Sequence, residues 1–183
     1  MDSNPLTVCR SNADCVIGAA DGVAVALWVH QTRPEDVAAL AEAAGRARRG
    51  PHRWVKLIQI VPDTAITPDA HARTALARML RGLLGVVSHS VIVHEADGFR
   101  AAMVRSIVTG VAALSNPGFP HRVFARLPDA IEWMCEGATV PGARSLEMRQ
   151  IEATVRQLRT GAARGGATPG GLTKERAPTL DCR

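Results

Sequence analysis

The chain contains no tyrosine and only three tryptophans and three phenylalanines among its 183 residues. A single-strand nucleic-acid binder stacks bases on a basic face studded with aromatics, and that material is scarce here. The four cysteines, Cys9, Cys15, Cys135 and Cys182, form no CxxC pair and have no close histidine partner. Such spacing argues against zinc, so no metal site is expected. No apolar run approaches the roughly 18 residues that a membrane span requires. The opening MDSNPLTVCR has neither a basic region nor an apolar one of the kind a secretory signal carries, so a cytoplasmic location is the expectation. There the cysteines stay reduced, although Cys9 and Cys15 are near enough in sequence to meet across a first strand. The chain also lacks a GxxxxGK[ST] loop, a GxGxxG turn after a strand, a GxSxG elbow and an HExxH helix. Those absences weigh against an enzyme and imply no cofactor.

What is present is an uneven charge. The formal net charge is +5, from 22 Lys+Arg and 17 Asp+Glu. Residues 1–136 hold 14 basic and 13 acidic side chains, whereas residues 137–183 hold 8 and 4. The body is therefore nearly neutral and the excess lies in the C-terminal part, which suits contact with an acidic partner better than nucleic-acid binding by the body.

The hydrophobic pattern alternates between strand and helix. Residues up to about Ala20 read as an edge strand, and Asp21-Gly22 as the hairpin turn after it. The run VAVALWVH, 23–30, reads as a strand covered on both faces. Pro34 opens a helix with Glu35 and Asp36 at its positive end and an apolar face of Val37, Leu40, Ala41 and Ala44. WVKLIQIV, 54–61, is the next strand, stopped by Pro62. Thr67 as N-cap and Pro68 at the first helical position begin a helix striped by Ala72, Leu76, Met79, Leu80 and Leu83. A strand within 86–94 follows, then a helix lined by Phe99, Met103, Ile107, Val111 and Leu114. A short strand over 122–125 and a helix opened by Pro128 complete the body. Strands separated by helices lie parallel in one sheet, so the fold class is α/β: a mixed, mostly parallel sheet of about five strands in the order β-β-α-β-α-β-α-β-α.

Three segments follow from this division: a body over 1–136, a linker and amphipathic helix over 137–160, and a flexible basic tail over 161–183. Met148, Ile151, Val155 and Leu158 stripe the added helix, which is short for a coiled coil and so is expected to dock on the body.

The segment RVFARLPDAIEWM, with its short strand ending in Phe, its Pro-Asp helix start and its Ala-x-x-Trp finish, carries a likeness beyond element order. Over about 12–136 the chain resembles the STAS domain, the fold of anti-sigma-factor antagonists and of related small bacterial proteins. The resemblance implies a regulatory, non-enzymatic module that acts by binding another protein. Regulatory members carry Asp-Ser-Ser-Gly at the start of the second helix, where the serine is phosphorylated by a partner kinase. The corresponding residues here are Ile66-Thr67-Pro68-Asp69, so the resemblance places Thr67 at the phosphoacceptor. Ile66 stands where the acid would be, the glycine is absent, and Pro68 removes one amide from the helix start. A plain capping role also accounts for Thr67.

A second reading comes from the sheet. Ligands of open α/β sheets gather beyond the carboxyl ends of the parallel strands. Those ends here carry His30 and Gln31, then Asp63 and Thr64, then His94, Glu95 and Asp97, with Arg126 after the last strand. His30, Asp63, His94 and Glu95 on one rim have the chemistry of a small-ligand, metal or general-base site. Polar side chains are also what any exposed loop shows. The first expectation is therefore a partner surface made of Asp63, Thr64, Ile66 and Thr67. The alternatives are a small-ligand or metal protein, perhaps catalytic, using the rim, and a scaffold that self-assembles, for instance as a homodimer, through the 145–159 helix.

Overall fold

The structure is a computed structural model that describes residues 6–48, 54–95, 117–136 and 142–165, together with Ser106 and Gly110. The helix expected from Phe99 to Leu114 lies outside the described residues, as do His52, Asp97, Cys182 and most of the tail.

Six strands form one sheet in chain order: β1 (Thr7–Ser11), β2 (Cys15–Ala20), β3 (Val23–Trp28), β4 (Val55–Val61), β5 (Val87–His94) and β6 (His121–Phe124). β1, β2 and β3 are antiparallel neighbours, and β3 through β6 are parallel. The expected α/β sheet is present, with six strands instead of about five. The extra strand arises because Asn12 breaks the first one. Its Oδ1 accepts from the amides of Asp14 and Cys15 at 2.9 and 2.8 Å, closing a tight turn. The Asp21-Gly22 turn forms as expected, with Gly22 at φ 70°.

Four described helices cover the sheet: α1 (Pro34–Ala47), α2 (Ala70–Gly82), α3 (Leu127–Met134) and α4 (Ala143–Gly165). α1 and α2 pack on the face that carries Ile17, Ala24, Ala26, Trp28 and Leu57. α3 and α4 pack on the face that carries Val16, Val25, Ile58, Ile60, Val91 and Val93. Alternate residues of β4 thus reach opposite cores, which is why WVKLIQIV has so little polar interruption. Gln59 is fully covered, and its Oε1 accepts from the indole of Trp28 at 3.3 Å.

α4 begins two residues before its expected start and runs through Gly165, past the expected boundary at 160. Ile151, Val155 and Leu158 are buried against β2 and β3, at about 1.5–3 kcal/mol for each large side chain removed from water. Gly18 allows this approach, since a Cβ there would lie 2.7 Å from Leu6 Cδ1 and 3.0 Å from Leu158 Cδ1. Glu147 near the start of α4 pairs with Lys56 at the start of β4, and Arg159 near its end pairs with Glu95 just past β5. The helix therefore crosses the sheet from the amino ends of the parallel strands to their carboxyl ends.

The start of α2 differs from expectation. Asp69, not Thr67, is the N-cap, and its carboxylate accepts from the amide of Ala72 at 2.8 Å. Aspartate caps as well as threonine does, and a backbone bond holds Ile66 in the preceding loop, so the helix starts later.

Candidate functional site

The carboxyl ends of β3, β4 and β5 are joined by a lattice of backbone bonds. Asp14 anchors the first loop: its carbonyl accepts from the amides of Val29 and His30 at 2.7 and 3.1 Å. Its carboxylate accepts from the amide of Gln31 at 3.3 Å and pairs with Arg33 at 2.8 Å. The loop after β4 is held to this one at two points. Thr64 Oγ1 donates to the carbonyl of Val29 at 3.1 Å, and the amide of Ile66 donates to the carbonyl of His30 at 2.9 Å. Within the loop, the amide of Ala65 donates to the carbonyl of Pro62 at 3.1 Å. The amide of Glu95 donates to the carbonyl of Val61 at 3.0 Å and so ties the end of β5 to the end of β4.

The side chains on this lattice have different fates. His30, Asp63, Thr64, Ile66, Thr67 and Asp69 are exposed, whereas His94 is only 5% exposed at the end of β5. Glu95 is engaged by Arg159 of α4. Among the described residues no group of three or more His, Cys, Asp and Glu side chains is placed to hold a metal ion. What the rim presents is an ordered loop with a large apolar side chain at its tip: Ile66 is 61% exposed, between Asp63 and Asp69. Thr67 is exposed two residues before the cap, so its hydroxyl is not spent on the helix amides.

The opposite end of the sheet holds a cluster not expected from the sequence. Lys56 of β4, only 12% exposed, pairs with Glu147, and its Nζ lies 3.6 Å from the Sγ of buried Cys135. His89, the β5 register partner of Lys56, meets Trp133 edge-on with ring centroids 5.2 Å apart. Arg122 sits over the same indole, 5.0 Å from its centroid. Burial lowers the pKa of His89, with the positive charge of Lys56 adding to the effect. Burial raises the Cys135 thiol, and Lys56 offsets only part of that rise. Cys135 is therefore a protonated thiol and not an activated nucleophile. On the other face, His121 Nδ1 lies 3.0 Å from Ser90 Oγ, and burial lowers its pKa too. His89 and His121 are thus half-buried, while His71 is exposed. The signal for Lys56 was strand parity: it shares a face with Ile58 and Ile60, so its side chain had to point into a core.

Trp28 belongs to the core and Trp133 to helix packing, but Trp54 is 46% exposed just before β4. Cys9 and Cys15 are free thiols.

No protein-family model and no curated protein matches the chain. Among solved structures it is similar to an uncharacterized protein of the DUF3478 family, with a SpoIIAA-like fold, from Shewanella loihica PV-4. The match has 16% sequence identity and a TM-score of 0.46, and it covers 74% of this chain and 99% of that one. Likeness at this level carries no chemistry from one protein to the other. No helix among the described residues is long and apolar enough to cross a membrane.

Proposed function

We propose that the chain is a non-enzymatic, STAS-like regulatory module that binds another protein through the loop between β4 and α2, residues 62–69. One observation carries this reading: the loop is held rigid by bonds to Val29 and His30, yet it displays Ile66 at 61% exposure. A flexible loop would lose conformational entropy on docking, and a preordered one loses less. An exposed large aliphatic side chain gains about 25 cal/mol for every Å² of apolar surface it buries. Asp69 is exposed three residues after Ile66, and a carboxylate beside an apolar side chain suits a partner with a basic rim around an apolar socket. Thr67 is the regulatory position of this reading. A phosphate there adds nearly two negative charges beside Asp69, which already caps α2 through the amide of Ala72, so it acts by changing the docking surface.

The test is a photo-crosslinking amino acid placed at position 66, with a control at Leu84, which is equally exposed before β5. In the native host, a discrete protein adduct at 66 and none at 84 is the expected result. Equal labelling at both positions, or none at 66, overturns the reading.

A further inference from the structure

Among the described residues the exposed large apolar side chains are Val8, Trp54, Ile66, Leu84 and Leu146. Trp54, Leu84 and Leu146 all lie at the amino ends of the parallel strands. Trp54 immediately precedes β4, and Leu84 lies shortly before β5. Leu146 is in the first turn of α4, next to Glu147, whose carboxylate holds Lys56 at the start of β4. The amide of Val55 donates to the carbonyl of Val86 at 3.0 Å, so the loops before β4 and β5 are neighbours. We infer that this end of the sheet docks on the surface of an anionic phospholipid bilayer.

The apolar part is built by the turn after α2. Leu83 is buried and closes the helix, and Gly85, at φ 75°, turns the chain. Leu84 between them is left 64% exposed. A Cβ added to Gly118 would lie 2.7 Å from Leu84 Cδ1, so Leu84 stands against backbone that leads into β6. Trp54 has contacts of its own within the fold and adds only exposed apolar surface, so the docking rests on Leu84 and Leu146. Two leucines are too little to hold a protein on a bilayer, and a second attraction is needed.

Charge supplies it. α1 and α2 run back along the sheet, so their last turns lie at this end and carry Arg46 and Arg81, with Arg48 capping α1. Arginine suits the negative end of a helix dipole, and because both helices end here the arginines collect on one face. Arg122, the second residue of β6, is exposed here as well. Of the acids at this end, Glu147 and Glu132 are engaged by Lys56 and Arg144, which leaves Glu136 and half-buried Asp21. One turn further back, Glu42 on α1 and Arg78 on α2 offset each other. The face is therefore positive around its exposed leucines.

An anionic bilayer answers both features, since its phosphates attract the arginines while the leucines enter the acyl boundary. A second copy docked by the same face would set like charges against each other. A nucleic acid would engage the arginines and leave the leucines in water. Docked on a bilayer, the strands carry the 62–69 loop away from it by the seven residues of β4, about 20 Å. That loop stays open to a protein partner, and failure of either reading leaves the other standing.

The test is sedimentation of the full chain with vesicles of phosphatidylcholine alone and with vesicles of phosphatidylcholine and phosphatidylglycerol in equal parts. Variants are first matched to the parent in thermal stability. The expected result is binding to the mixed vesicles alone. Leu84→Ser weakens it about tenfold, and Arg46→Glu with Arg81→Glu weakens it at least as much. Arg126→Glu with Arg156→Glu makes the same charge change away from this end, and Ile66→Asp alters the opposite end; both keep binding within about twofold of the parent. Four results overturn the inference: no binding to the mixed vesicles, equal binding to both kinds, an equal loss in the two arginine pairs, or Leu84→Ser binding as tightly as the parent. A lower native mass of Leu84→Ser without vesicles also overturns it, because the face then serves contacts between copies.

Discussion

Arg10 on β1 grips the carboxylate of Asp36 on α1, and the Asp36 side chain is fully buried. Asn12 donates to the same oxygen at 3.0 Å, while Oδ2 has no hydrogen-bond donor among the described residues. This pairing fastens the edge strand to the body, which matters because an edge strand is otherwise held along one side alone. Arg10→Ala leaves a buried carboxylate without its paired cation, so the urea midpoint falls with an unchanged slope. Arg10→Ala combined with Asp36→Leu recovers part of the loss, because no charge is then stranded. A double variant weaker than the sum of the two single changes would contradict this account.

Cys15 sits beside Asp36, and its thiol is pushed up to about 12 from 9.0, first by burial and then by that carboxylate. Below pH 9 the folded and unfolded chains both hold the proton. Between 9 and about 12 the unfolded chain releases it while the folded chain keeps it, so stability falls as pH rises through that window. Denaturation series at pH 8 and pH 10.5 are expected to show this fall, and Cys15→Ala is expected to flatten it. An equal pH slope in the variant would assign the effect to other groups.

On the acid side, His89 and His121 are both held below their ordinary value of 6.5 by burial. The unfolded chain takes up these protons first as pH drops, so the stability they contribute above 6.5 is lost on acidification. The double variant His89→Gln, His121→Asn is expected to lose less stability between pH 7 and pH 5 than the parent chain. An equal loss would show that neither imidazole is buried as neutral.

Leu158 is fully buried where α4 crosses β2. Leu158→Ala is expected to cost about 2–5 kcal/mol in denaturant unfolding, the range for truncating a core leucine, while leaving the native mass of the folded protein unchanged. A stripe that served self-assembly would give the reverse, a shift in oligomeric mass with little loss of stability in the single chain.

Much of the architecture was readable because its signals were local and strong. Asp21-Gly22 marked the turn, the unbroken apolar run at the start of VAVALWVH marked a covered strand, and the prolines at 34 and 128 marked helix starts. The extra strand was hidden because Asn12 makes its turn through side-chain bonds to Asp14 and Cys15, which no hydrophobic period announces. The start of α2 was misplaced because Thr67 and Asp69 are both good caps, and a long-range bond from Ile66 to His30 decides between them.

The site was less legible than the fold. Composition marked the polar rim, but it could not show that His94 is buried while His30 is exposed, or that Glu95 is engaged by an arginine 64 residues away. Asp36 looked like an ordinary first-turn acid serving the helix dipole, and only the approach of β1 makes it a buried anchor. The cluster around Lys56 depends on α4, whose docking place no pattern within the body records.

The most direct measurement is quantitative co-purification from the native host of the parent chain and of Ile66→Asp, each brought first to matched thermal stability and yield. The account predicts a stoichiometric protein partner that the parent retains and Ile66→Asp loses. Equal retention of the same partner by both chains would contradict it and remove the 62–69 loop from the binding surface.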